Sequence, residues 1–303
     1  MELGYDGSLY ILAFDHRGSF QKSFLGVSGR KPTPEEDSKI VELKAIVFEG
    51  MLAAVESGED PSALGVLVDE QYGGDIPKLA RERGLRLAMP VERSGQNEFD
   101  FEYGEQFGDH IEQFDPDFTK VLVRWNPDGD KVGNQRQGER LARLSDWLHE
   151  RDRKFLFELL VPAEPAQLDS VGGDEERYDV ELRPDLMCRA IAEIQAAGIE
   201  ADVWKIEGVD TQADNDRIIA QTRGGGRDGV TSVVLGRGAD DAKVDHWLRQ
   251  AAPVDGFVGF AIGRSNFSQP LKAWMAGSAS REEVAAQIGA NYTRFIHVYR
   301  DAQ

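Results

Sequence analysis

Two lysines stand inside short apolar runs, Lys120 within Phe118–Arg124 and Lys205 within Val203–Glu207. Lysine is among the residues least often fully buried, so a mid-strand lysine needs an ionic partner or a chemical task. Alternation along extended chain puts Lys120, Leu122 and Arg124 on one face. It likewise groups Leu156 with Glu158, Val203 with Lys205 and Glu207, and Ile11 and Ala13 with Asp15. Asp15, Lys120, Glu158 and Lys205 would then share one interior, which is expensive to keep for packing alone. The chemistry this set suits is covalent catalysis through an imine. An amine attacks a carbonyl only when neutral, and an ordinary lysine is almost wholly charged near pH 7. Desolvation and a second ammonium nearby both favour the free amine. Lys205 is the expected nucleophile and Lys120 the neighbouring cation. Glu158 would shuttle protons as the carbinolamine loses water, and Asp15 would accept a substrate hydroxyl proton as a carbon–carbon bond breaks. The protonated imine is the electron sink, so the scheme needs neither metal nor cofactor. A structural ion pair is the plain alternative for Lys205.

Other residues serve the ends of a substrate or nothing chemical. Gly236-Arg237-Gly238 and Gly263-Arg264-Ser265 offer open amides, guanidinium groups and a hydroxyl, a set suited to phosphate after the last two strands of a barrel. Of the five histidines, His16, His110, His149, His246 and His297, only His16 falls at an expected strand end. One well-placed histidine cannot build a His-rich zinc site. Asp69, Glu70, Glu92 and Glu207 could hold magnesium, but salt bridges with Arg93 and Arg17 are the commoner use. Cys188, the single cysteine, reads as helix packing and excludes an internal disulfide. Trp274, Tyr292, Phe295 and Tyr299 read as a helix face packed on a barrel. Residues 224–229 fit G-x-G-x-x-G, yet they precede a strand, whereas the dinucleotide motif follows one, so a surface loop is expected. Residues 128–133 read as a loop after the fourth strand.

The elements that must position these residues alternate along the chain. Strands are expected at Leu9–Asp15, Leu64–Glu70, Arg86–Glu92, Phe118–Trp125, Phe155–Leu160, Val203–Glu207, Thr231–Leu235 and Gly256–Ile262. Their starts advance by roughly 35 residues on average, the size of one βα unit. Helices are expected at Pro34–Ser57, Asp75–Arg83, Arg136–Asp152, Pro184–Ala197, Asp214–Thr222, Ala242–Ala251 and Arg281–Tyr299. The fold class is therefore α/β, a (β/α)8 TIM barrel in a single domain over residues 1–303.

Composition narrows the partners. With 35 Lys and Arg against 54 Asp and Glu, the net charge of −19 argues against nucleic acid. An anionic substrate must then be captured by a few local cations. No apolar run approaches a membrane span and the first ten residues lack a secretory pattern, so a cytoplasmic protein is expected. A symmetric homo-oligomer is expected from the habit of soluble enzymes of this size.

Several of these segments resemble a known family. Leu9–Arg17, Gly65–Gly73, Pro90–Glu92, Lys120–Arg124, Phe155–Pro162, Val203–Glu207 and Gly256–Phe267 are similar to domain of unknown function 2090. That family is often fused behind the sugar kinase of myo-inositol breakdown. It is grouped with class I aldolases and more distantly with tagatose-1,6-bisphosphate aldolases. The resemblance implies cleavage of 2-deoxy-5-keto-D-gluconate 6-phosphate to dihydroxyacetone phosphate and malonate semialdehyde. It implies Lys205 as Schiff-base lysine, Lys120 as fourth-strand lysine, Glu158 as proton shuttle and Asp15 as acid/base. Arg17, Arg93 and Arg124 are unranked candidates for the substrate carboxylate. The basic Gly236-Arg237-Gly238 turn and Ser94–Phe101 depart from the family pattern. An extra arginine there would suit a second anionic group, as in a ketose bisphosphate or sulfo-sugar phosphate. A phosphosugar isomerase or epimerase using the same carboxylates, and a phosphosugar-binding barrel, are the other readings.

Overall fold

The computed structural model describes residues 2–303 and contains eight parallel strands in a closed barrel of order β1 to β8. They are β1 (Leu9–Ala13), β2 (Leu64–Leu67), β3 (Arg86–Pro90), β4 (Phe118–Arg124), β5 (Lys154–Leu160), β6 (Val203–Glu207), β7 (Thr231–Leu235) and β8 (Phe257–Ile262). β8 pairs back onto β1, with Leu9 opposite Gly259 and Leu12 opposite Ile262. All eight expected strands form. Several run shorter at the C-terminal side, because the chain leaves the sheet where its polar residues begin.

Strand alternation sorts the core into two layers. Leu9, Ile11, Phe118, Leu156, Val203 and Val233 fill the barrel, while Tyr10, Leu12, Val121, Phe155, Phe157, Trp204 and Phe260 face the helices. The inward face continues upward from those apolar residues into Asp15, Lys120, Glu158 and Lys205, all buried.

Local rules set the helix starts. Thr33 and Ser280 each form a capping box, with Glu36 and Glu283, opening Pro34–Glu56 and Arg281–Arg300. Asp130 caps Lys131–His149 by accepting from the amides of Val132 and Gly133. That helix therefore begins at Lys131, inside the segment expected to be loop, because the capping aspartate outweighs the nearby glycines. Two further helices, Gly18–Leu25 and Arg264–Met275, start directly after the polar ends of β1 and β8. The second contains Pro270, which removes the amide that would bond the Asn266 carbonyl. Asn291 Nδ2 donates to that carbonyl at 2.8 Å instead, so the helix continues. Residues 224–229 are a turn before β7, as expected. Tyr292, Phe295 and Tyr299 pack on the barrel from Arg281–Arg300, whereas Trp274 lies on the preceding helix beneath the Lys39 ammonium. Among the described residues no helix is long and apolar enough to cross a membrane.

Candidate active site

Lys120 rises from β4 into a cage of carboxylates. Its Nζ donates to Asp15 Oδ2 at 2.8 Å and Glu92 Oε1 at 2.8 Å, and lies 3.0 Å from Glu158 Oε2. Strand register explains the convergence. Lys120 sits opposite Pro90 on β3 and Leu156 on β5, and two residues further along each neighbour come Glu92 and Glu158 on the same face. Glu158 is itself opposite Lys205 on β6, and its Oε2 also lies 2.9 Å from Lys205 Nζ. One carboxylate oxygen thus faces both lysines, which are 1% and 2% exposed.

Electrostatics separate the members of the cage. Burial works against the Lys120 charge, but Asp15, Glu158 and Glu92 overcome it and hold its pKa well above the ordinary ammonium value. Burial pushes the Asp15 carboxyl up, yet Lys120, His16 and Lys205 outweigh it and hold the group well below the usual carboxylate range. Glu158 is lowered for the same reason, with Lys120 and Lys205 overriding burial. Glu92 goes the other way: burial outweighs Lys120 and Arg17, and its pKa is raised. His16 is pushed down to about 4, mainly by burial against the opposing pull of Asp15. Lys120, expected as the cation neighbouring Lys205, shares its charge among three carboxylates.

A cavity of about 250 Å³ opens over this cage, at the small end of ligand sites. Asp15, His16, Arg17, Glu92, Leu122 and Glu158 line it, with Arg124 and residues 93–99 forming its far wall. Lys205 meets this space through Glu158. Arg17 is buried, donating to the Glu92 carbonyl at 2.5 Å and lying 3.2 Å from Glu102 Oε2. Arg93 lies 3.4 Å from Asp100. Arg124 has no carboxylate partner among the described residues and donates to the Gln96 carbonyl at 2.9 Å.

The glycine–arginine turns meet at the opposite rim. Gly263 packs so closely on β1 that a Cβ there would lie 2.2 Å from the Ala13 carbonyl oxygen. Only glycine lets the β8 end approach β1 this way. Arg264 is exposed, Ser265 Oγ donates to the Ala239 carbonyl at 3.2 Å, and Arg264 Nη2 donates to the Arg237 carbonyl at 3.0 Å. Gly236 packs on Ile262. Arg237 is ion-paired with Asp179 and lies 3.1 Å from Glu207, so its charge is matched from within the protein. Arg264 is left as the rim guanidinium without a carboxylate partner among the described residues.

The four expected acids all find partners, but among the described residues none forms a salt bridge to Arg17 or Arg93. Asp69 pairs with Lys44, Glu70 lies 3.4 Å from His110, and Glu207 lies 3.3 Å from Arg183. Glu92, expected only as a salt-bridge or magnesium candidate, belongs to the central cage. Its signal was positional, since Pro90-Val91-Glu92 continues the inward face of the third strand. Lys44 was missed altogether. It occupies an apolar position of Pro34–Glu56 beside Ile40, Leu43 and Val47, and helical spacing exposes it as a buried lysine in need of an acid.

Comparisons with known proteins agree with this architecture. Tagatose 1,6-diphosphate aldolase 1 of Streptococcus mutans is 26% identical over 165 residues, 52% of this chain and 46% of that protein. The chain thus matches about half the length of that curated relative. The crystal structure of Cgl0159 from Corynebacterium glutamicum superposes with a TM-score of 0.57 at 19% identity, covering 95% of this chain and 87% of that one. A Schiff base forming fructose-1,6-bisphosphate aldolase superposes with a TM-score of 0.54 at 14% identity, covering 95% and 94%. The fold is a TIM barrel like those of the class I aldolases. The model for "uncharacterized protein conserved in bacteria (DUF2090)" matches residues 5–303, and with essentially the whole chain covered the protein belongs to the DUF2090 family.

Proposed function

We propose that this barrel is a class I aldolase, a lyase that cleaves a phosphorylated keto-sugar acid through an imine on Lys205. The observation that carries the reading is the single Glu158 oxygen lying 2.9 Å from Lys205 and 3.0 Å from Lys120. Asp15 and Glu92 already pair with Lys120, so Glu158 is available to exchange a proton with Lys205. Here a proton acceptor is shared by a reacting amine and a fixed cation.

The substrate favoured is 2-deoxy-5-keto-D-gluconate 6-phosphate. The Lys205 amine, its proton passed to Glu158, attacks the C5 ketone. Glu158 returns a proton to the departing hydroxyl, and water leaves as the iminium forms. Asp15, held ionised, takes the C3 hydroxyl proton. The C3–C4 electron pair then moves into the iminium, malonate semialdehyde departs, and an enamine stays on Lys205. Protonation at C4 and hydrolysis free dihydroxyacetone phosphate and the lysine. Lys120 holds Asp15 and Glu158 aligned and favours the ionised state in which each begins its proton transfer. Arg264, the Gly263 and Gly236 amides and Ser265 would hold the phosphate, with Arg237 bracing Arg264 through its carbonyl. That the similar proteins are aldolases of tagatose 1,6-diphosphate and fructose 1,6-bisphosphate supports phosphorylated ketoses as the substrate class.

Borohydride reduction in the presence of dihydroxyacetone phosphate, followed by peptide mass spectrometry, tests this. The expected product is a reduced adduct on the peptide containing Lys205. An adduct on Lys120 would reverse the roles of the two lysines, and none under conditions that trap a control aldolase would sink the reading. Lys205→Met should lower cleavage by at least about a thousandfold. An isomerase or epimerase using only the carboxylates would keep substantial turnover.

A further inference from the structure

We infer that Arg124 binds a carboxylate at the aldehyde end of the substrate, and that it makes the enzyme selective for acceptors carrying that single negative charge. The inference rests on the aldolase reading and says which substrates that site takes. Three arginines reach the cavity wall around the cage. Arg17 is committed to Glu102 and the Glu92 carbonyl, and Arg93 to Asp100. Arg124 meets no carboxylate among the described residues, and only its Nη1 is engaged, by the Gln96 carbonyl. It stands on the inward face of β4, two residues above Leu122 and four beyond Lys120, so it projects over the cage on the far side from Arg264.

Its setting explains why the charge remains available. Glu98, the acid of the same wall, is held by Arg136 at 2.7 Å and Arg140 at 2.7 Å. The wall itself is pinned, with the Phe99 amide donating to Gln137 Oε1 at 3.1 Å and the Glu92–Phe101 bridge closing the loop base. A guanidinium fork held over a cavity of about 250 Å³ matches a planar carboxylate, and one guanidinium balances one charge. A phosphate dianion would leave a charge uncompensated beside Asp15, Glu92 and Glu158. In a chain of net charge −19 no general attraction makes up the difference.

The test runs in the synthetic direction, joining dihydroxyacetone phosphate to three acceptors: malonate semialdehyde, glyceraldehyde 3-phosphate and propanal. For the wild type, kcat/KM is expected in that order. In Arg124→Gln the malonate semialdehyde to propanal ratio should fall roughly a hundredfold, and Arg124→Lys should restore part of it. A ratio within about threefold of wild type overturns the inference, because a residue that only braces the loop depresses both acceptors together. A larger penalty on glyceraldehyde 3-phosphate than on malonate semialdehyde overturns it in favour of a phosphate end. Saturation-transfer NMR with 3-hydroxypropionate gives a readout free of turnover: binding should weaken at least tenfold in Arg124→Gln, and unchanged binding refutes the subsite. Loss of the borohydride adduct in the wild type would instead count against the aldolase reading, and the NMR result would still decide the role of Arg124.

Discussion

Lys120 illustrates how a buried charge is kept. Three carboxylates surround one ammonium, and removing that ammonium leaves Asp15 and Glu92 without it and Glu158 with Lys205 alone in the barrel interior. Lys120→Met is expected to cost roughly 3–5 kcal/mol near pH 7. Its pH dependence should also differ from that of the wild type. In the wild type, Asp15 and Glu158 have folded pKa values below their unfolded values, so the stability they contribute is present above about pH 4 and is lost as pH falls further. Without Lys120, burial is the leading influence on Asp15, Glu92 and Glu158 and raises all three. At these groups the folded state then takes up protons before the unfolded one, so their contribution to stability rises as pH falls from 7 towards 4. His16, held down to about 4, opposes this in both proteins, because the stability it contributes is present above its unfolded value of about 6.5 and is lost as pH falls through 4. Urea midpoints at pH 7, 5.5 and 4.5 check this: the gap between wild type and variant should narrow at each step. A gap that stays constant would show that Lys205 and Arg17 suffice to hold the cage.

Elements fix where such residues can meet. Parallel register between β3, β4, β5 and β6 carries Glu92, Lys120, Glu158 and Lys205 to one level, and β1 adds Asp15 just beyond its last paired residue. Alternation made that face readable, since each of these side chains lies an even number of residues from an apolar barrel-filling neighbour. What alternation could not supply was the pairing of individual charges. Arg237 looked like an anion ligand until Asp179, which is 58 residues distant in sequence, was brought to it by the fold. The helix after β8 was hidden by Pro270, whose lost hydrogen bond is made good by a side chain from another helix. Gly263 joins these levels, because it sets how closely the end of β8 approaches β1. Gly263→Ala would force a Cβ against the Ala13 carbonyl and push Arg264 outward. A loss of about 1–3 kcal/mol is expected, and under the proposed aldolase function the KM for dihydroxyacetone phosphate should rise by more than any change in adduct formation. Equal KM values in variant and wild type would separate this glycine from phosphate binding.

At the scale of the molecule, the barrel closes where its first and last strands pair, and that seam is held from outside. Tyr292 of the last long helix donates its hydroxyl to the Tyr10 carbonyl at 2.5 Å, entirely buried, while Tyr299 packs edge-on against the Tyr10 ring. The same helix lies against Pro34–Glu56, and the two backbones come close at Gly50 and Gly289, where a Cβ on Gly289 would lie 2.9 Å from the Gly50 carbonyl oxygen. A closed sheet has no strand that can leave without breaking two ladders, so the seam and the site should unfold together. Tyr292→Phe keeps the ring and removes only the donor to a buried carbonyl. It should therefore cost about 1–3 kcal/mol and lower the melting midpoint by roughly 2–6 °C. The chain has five tryptophans, none of them on β1 or β8, and Trp204 among them is buried on the helix-facing side of β6. The tryptophan fluorescence transition and the far-ultraviolet circular dichroism transition should coincide in both proteins and shift by the same amount. If the circular dichroism signal began to fall first in the variant while the fluorescence held, the β1–β8 seam would be opening ahead of the barrel, and the chain would not be one cooperative unit.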